Sequence, residues 1–126
     1  MTRAHFAVIL LLTLLLLCVL VSCSVTNHAE AAAEMLRKGE QSVVDGDYVG
    51  AIQQCRETAA YWKQQHLLLA AFLHHDEPDA VESGIAELIA YAKREDDDEF
   101  LALCEQVITK LTHLKEMNTP TLQNIL

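Results

Sequence analysis

The chain predicts an all-α fold: an apolar N-terminal membrane or signal helix, then an antiparallel helical hairpin or a three- to four-helix bundle. Three observations lead there. Two Pro and four Gly are spread over 126 residues, too few for the tight turns of an all-β chain. Good helix formers, Ala, Leu, Glu and Gln, are abundant. Beyond residue 28 the apolar side chains recur in steps of three and four, the spacing that lines one face of a helix. This length leaves room for one small domain with one modest core.

The first element is the apolar run Phe6 to Val21, in which Thr13 is the one polar side chain apart from Cys18, with Arg3 and the amino terminus upstream. A short positive region before an apolar one is the layout of a secretory signal or a first membrane helix. Sixteen residues at about 1.5 Å each reach about 24 Å, against a bilayer core of about 30 Å, so length alone leaves both readings open. The tetrapeptide Leu20-Val21-Ser22-Cys23 is similar to a bacterial lipobox, which makes Cys23 a candidate for lipidation and cleavage before it a rival to an uncleaved anchor. Ala29-Glu30-Ala31 fits ordinary signal cleavage but lies well past the apolar run. Under either leading reading the positive end stays cytoplasmic and the rest faces outward, an extracytoplasmic domain on the cell membrane. The organisation expected is therefore an anchor or signal over 1–23, a stalk helix over 24–46 and a bundle domain over 47–126.

Ala29, Ala32, Leu36, Gly39 and Val43 form a thin stripe, which reads as a stalk or lever. Asp45-Gly46-Asp47 then supplies a helix stop, with Gly as the C-terminal cap and Asp47 as the next N-cap. The longest pattern follows: Tyr48, Ile52, Cys55, Ala59, Trp62, His66, Leu69 and Leu73 make a coiled-coil-like seam. His74 to Asp79 interrupts it, and Pro78 suits the first turn of a new helix. Val81, Ile85, Leu88 and Ala92 form the third stripe, and Phe100, Cys104, Val107, Leu111 and Leu114 the fourth. Between them, Glu95 to Glu99 places acids where the dipole of a starting helix favours them. The tail from Asn118 breaks at Pro120 and ends on Leu122, Ile125 and Leu126, apolar residues expected to pack on the bundle or on a partner.

Charge narrows the partners. Nine Lys and Arg stand against 18 Asp and Glu, a formal charge of −9; every acid follows Cys23, while Arg3 precedes it. Nucleic acid is a poor partner for that field. A basic partner or a cation is better placed, and a solvated surface serving only solubility is the plainer account. Cys18 and Cys23 belong to the apolar end, and no CxxC spacing suggests zinc or a disulfide framework; Cys55 and Cys104 read as buried thiols on helix faces, with a pairing in space in an oxidised extracytoplasmic domain as the alternative.

The residues Trp62, Lys63 and Phe72, then His75-x-Glu77-x-Asp79, Val81 and Glu82, and the terminal Leu122-x-Asn124-Ile125-Leu126 carry a resemblance. Over about Asp45 to Leu126 the chain resembles a bacterial family catalogued as domain of unknown function 4363, small membrane-anchored helical proteins of anaerobic, spore-forming Gram-positive bacteria. Pro78 departs from it, standing where an aliphatic residue is usual, and the lipobox-like Cys23 is not general to the family. The resemblance implies a membrane anchor and, because genes of the family often neighbour those of small multi-pass membrane proteins, an integral membrane partner. It implies no activity. Gly46-Asp47-Tyr48 followed by Ala51 is similar to the start of a tetratricopeptide repeat, but no second unit follows at its period.

For chemistry the sequence offers little. It has no G-x-S-x-G, P-loop, HExxH or Gly-rich phosphate cradle, so an enzyme is not expected, nor a cofactor or a metal. His74, His75, Asp76, Glu77 and Asp79 are the best polar constellation; a helix C-terminus meeting a capped N-terminus explains it, and a cation site or a pH-sensitive turn is the sharper account. Asp96 to Glu99 lacks the ligand alternation and central Gly of a calcium loop. Trp62 reads as core, with a partner anchor as its alternative. The expected function is thus an accessory or adaptor docking on a membrane partner through Trp62, the turn of His75, Glu77 and Asp79, and the tail residues Leu122, Asn124, Ile125 and Leu126. The alternative is a cation or pH sensor built on the His75 turn.

Overall fold

The structure, a computed structural model, describes the backbone of residues 2–72 and 76–118, and the side chains of those residues other than 22, 25, 66–72, 76–78 and 117–118. The described residues are all-α, with four helices among them: α1 (Arg3–Val44), α2 (Tyr48–Phe72), α3 (Asp76–Lys93) and α4 (Asp97–Asn118). α1 packs on α2 and α4, and α3 packs on the same two from the other side, so the helices run up, down, up and down around one core.

The apolar run and the stripe after it belong to one uninterrupted helix. α1 has 42 residues, about 63 Å at the helical rise, and no Gly or Pro breaks it before Gly39. Its two halves have opposite surroundings. Phe6 to Leu20 expose their large apolar side chains, each 49–68% accessible, whereas Ala29, Ala32, Ala33, Leu36 and Val43 are buried. The segment expected as a stalk over 24–46 is therefore a wall of the bundle, and its small residues allow α2 to approach closely. Gly39 shows this: a Cβ there would lie 3.7 Å from Gln54 Cβ and 4.0 Å from Cys55 Sγ.

α1 ends in a Schellman motif. Gly46 N–H donates to Val43 O at 3.0 Å, Asp47 N–H to Ser42 O at 2.8 Å, and Gly46 takes φ +78°, which glycine adopts without a Cβ penalty. Asp47 then caps α2, accepting from Gly50 N–H at 2.9 Å. The α3–α4 turn repeats this pattern with Glu95 in the left-handed position, φ 55°, and Asp96 N–H donating to Tyr91 O at 3.1 Å. Asp96 is the N-cap of α4, and Asp97, Asp98 and Glu99 fill its first turn.

The stripes of α3 and α4 are buried as their spacing predicts: Val81, Ile85, Leu88 and Ala92 face Phe100, Cys104, Val107, Leu111 and Leu114 in the core. α2 differs in detail. Cys55 and Trp62 are fully buried, but Ala51 and Thr58 join them while Tyr48, Ile52 and Ala59 are half-buried. A helix wedged between two neighbours buries a wider face than a two-stranded seam, and the centre of that face falls one residue off the expected line. Thr58 is satisfied there by donating to Gln54 O at 2.7 Å.

Candidate functional site

The alternating course of the helices sorts the polar groups by height above the apolar segment. The α1–α2 and α3–α4 turns lie together at the far end of the bundle, where Tyr48 Oη donates to Asp97 Oδ1 at 2.6 Å. That bond, followed by burial and the charges of Asp97 and Glu95, raises the Tyr48 pKa. Asp45, Asp47 and Glu95 to Glu99 gather around it, so the acidic residues of two turns form one end surface. Val49, 80% accessible, stands beside it.

At the opposite end the bundle meets the apolar half of α1. His28 Nδ1 and Tyr61 Oη are 2.6 Å apart and tie α1 to α2, while Lys115 Nζ lies 3.6 Å from Glu30 Oε1 and ties α4 to α1. Between α1 and α4 a crevice of about 140 Å³ is floored by Ala29, Ala33 and Leu111 and edged by Arg37, Thr112 and Lys115. Val21, the last residue of the apolar run, already packs against the core. The junction is helical and packed.

Midway up, α1, α2 and α4 meet around two thiols. Cys55 and Cys104 are fully buried, and Cys104 Sγ lies 3.6 Å from Leu36 O. Burial pushes the Cys55 thiol up to about 12, and burial followed by the Glu40 carboxyl pushes Cys104 higher still. Both are therefore protonated at neutral pH, and neither offers the thiolate that nucleophilic chemistry needs. Beside them Glu40 has its own pKa raised to about 7, by burial first and then by Glu105. One oxygen, Glu40 Oε1, is buried with no hydrogen-bond partner among the described residues.

The expected site residues do not form one cluster. Cys23 is exposed on the unbroken surface of α1. Trp62, offered as a partner anchor, has 0% accessibility and is the largest side chain of the core. Asp79 is exposed in the first turns of α3, in an open groove with Glu82 and Ser83, and Lys63 Nζ lies 3.7 Å from Glu82 Oε1. His75 and the tail residues Leu122, Asn124, Ile125 and Leu126 lie outside the described residues, as does the side chain of Glu77. Among the described residues, no three His, Cys, Asp or Glu side chains converge as a metal site would require. Glu40 with Glu105, His28 with Tyr61 and Tyr48 with Asp97 were not anticipated from the sequence. Glu40 had a signal, since it stands four residues after Leu36 and three before Val43, on the stripe itself.

Among known families, the chain matches the one described as Domain of unknown function (DUF4363), over residues 19–125. No curated protein and no solved structure matches the chain.

Proposed function

The chain belongs to the family Domain of unknown function (DUF4363), and we propose that it is an extracytoplasmic accessory or adaptor protein, held on the cell membrane by its N-terminal segment and docking on an integral membrane partner. The observation that carries this reading is the continuity of α1. Its first part is long and apolar enough to cross a membrane, and its second part is a wall of the bundle, so anchor and bundle are one rod. Arg3, upstream of the span, favours a cytoplasmic start and an outward-facing bundle. In that orientation the acidic end surface points away from the bilayer. The C-terminal half of α4 comes back along α1 towards the anchor, where Lys115 meets Glu30.

Retention of the span is the first thing to measure. The intact mass of the protein extracted from its host's membranes is expected to be that of the full chain. A mass beginning at Cys23 with a diacylglycerol-sized increment would replace the spanning helix by a lipid and confine partner contact to the outer surface. For docking, a photo-crosslinking side chain at Val49 and another after Asn118 are expected to give a discrete adduct with an integral membrane protein. His75→Ala and Glu77→Ala leave that adduct in place under the adaptor reading; under the sensor alternative they abolish a metal or pH response instead. Failure of both crosslinking positions to yield an adduct would remove the adaptor reading.

A further inference from the structure

α2 ends at the height where the apolar run of α1 ends. His28 Nδ1 lies 2.6 Å from Tyr61 Oη, and a Cβ on Gly39 would lie 3.7 Å from Gln54 Cβ. Counted along the antiparallel pair from these two contacts, Val21 stands level with Leu68 by the first and with Phe72 by the second. The last turn of α2, helical to Phe72, therefore lies beside the point where α1 enters the bundle. The residues of α2 change character at the same height. Gln53, Arg56, Glu57, Ala60, Lys63 and Gln64 are exposed. Leu67, Leu68 and Ala71 continue their register, four or seven residues on, while Leu69 continues that of the buried Cys55, Thr58 and Trp62. From Leu67 to Phe72 every residue is apolar, at the outward positions as at the inward ones. A helix that is apolar all round suits a protein interior or lipid rather than water.

We propose that the end of α2, Leu67 to Phe72, lies in the interface of the bilayer that α1 crosses, as a second and shallow membrane contact; this rests on the reading of α1 as a span. Two observations favour lipid over more protein. The run Phe6 to Val21 reaches about 24 Å, about 6 Å less than a bilayer core, so a span starting at Phe6 needs about four residues beyond Val21. Those residues are the stretch of α1 that runs beside the end of α2. Further up, α1 and α3 flank α2 on its buried side, and the outward register from Gln53 to Gln64 is left exposed, so no described element covers that face. The depth is limited by α3, which starts at Asp76, six residues before the Glu82 that Lys63 reaches. Asp76, Glu77 and Asp79 thus come to the level of the last turns of α2, and charged residues there hold the contact to the headgroup and acyl boundary. A single rod can turn about its own axis. A second apolar contact on the α2 side sets which face of the bundle leans on the membrane and which is turned to a partner.

The test uses the full wild-type chain in phosphatidylcholine nanodiscs, with backbone amide signals followed by NMR against two paramagnetic probes: a nitroxide on the lipid acyl chain and a gadolinium chelate dissolved in the water. The nitroxide is expected to weaken the amides of Leu67 to Phe72 together with those of Phe6 to Leu20, and to spare Val49 at the far end. The chelate is expected to weaken Arg56 and Ala60 and to spare Leu67 to Phe72. If the nitroxide weakens Phe6 to Leu20 but leaves Leu67 to Phe72 untouched, the second contact is overturned while the span stands. That holds whether the chelate reaches the end of α2, which would put it in water, or spares it, which would put it against protein. Weakening by the nitroxide and the chelate alike would place this end above the lipid, merely near it, and would also overturn the contact. If the nitroxide weakens neither stretch, the span itself fails and the contact falls with it.

Discussion

Two glycines face other helices inside the bundle, and a methyl group added to each meets different neighbours. At Gly84 on α3, a Cβ would come within 2.6 Å of Val107 Cγ2, and Val is a stiff β-branched side chain held in the core. Gly84→Ala is therefore expected to push α3 from α4 and cost about 1–3 kcal/mol, as overpacking does. At Gly39 the same Cβ makes only ordinary contacts, 3.7 Å to Gln54 Cβ and 4.0 Å to Cys55 Sγ. Gly39→Ala keeps those contacts and removes a flexible residue from a helix interior, so it is expected to stabilise by about 0.5–1 kcal/mol. Denaturant unfolding of both variants checks the pair; equal effects of one sign would mean that the two interfaces are not packed as described. The same closeness governs chemistry at this scale, since burial silences Cys55 and Cys104 as nucleophiles while leaving Glu40 able to titrate near neutrality.

The turns show how far local sequence dictates an element. Asp45-Gly46-Asp47 stops one helix and caps the next as read, because every group involved is within a few residues. The α3–α4 turn uses the same backbone geometry but puts Glu95 where the first turn has Gly46. A left-handed non-glycine residue is strained, so Glu95→Gly is expected to raise stability by about 0.5–1 kcal/mol, after the looser unfolded chain is set against the relieved strain. A lower melting temperature for Glu95→Gly would show that the strain is absent. Tyr48→Phe should act in the opposite direction, since it cuts the one side-chain bond described between the two turns and leaves Asp97 without that donor. The seams of α3 and α4 were likewise legible, each residue of the expected stripe being buried. Less legible was anything set by two segments together. Spacing within α2 could not say that two helices would flank it, so Ala51 and Thr58 were missed. The facing of Glu40 and Glu105 depends on the register of α4 against α1, 65 residues apart in the chain. Trp62 was legible as core and stands there; as a docking residue it has no exposed surface.

On the scale of the molecule, one helix has two unlike halves. The apolar side chains from Phe6 to Leu20 touch nothing that holds the bundle together, since each keeps about half or more of its surface, whereas the core begins with the contact of Val21 and is complete from Ala29 onward. Folding of the bundle is therefore separable from whatever the apolar half of α1 does, although the two share a backbone. A chain beginning at Cys23 is expected to be soluble without detergent and helical, and to unfold cooperatively within a few degrees of the full chain in micelles, because about a hundred residues with one closed core suffice for a small domain. Loss of Val21 should account for the small difference. The expectation is the same whether the cell keeps the span or replaces it with a lipid on Cys23, so it tests the fold independently of the anchor. If this shortened chain aggregated or lost its helices at neutral pH, the apolar half of α1 would be part of the bundle's stability. The two ends of the rod could not then be treated as separate devices.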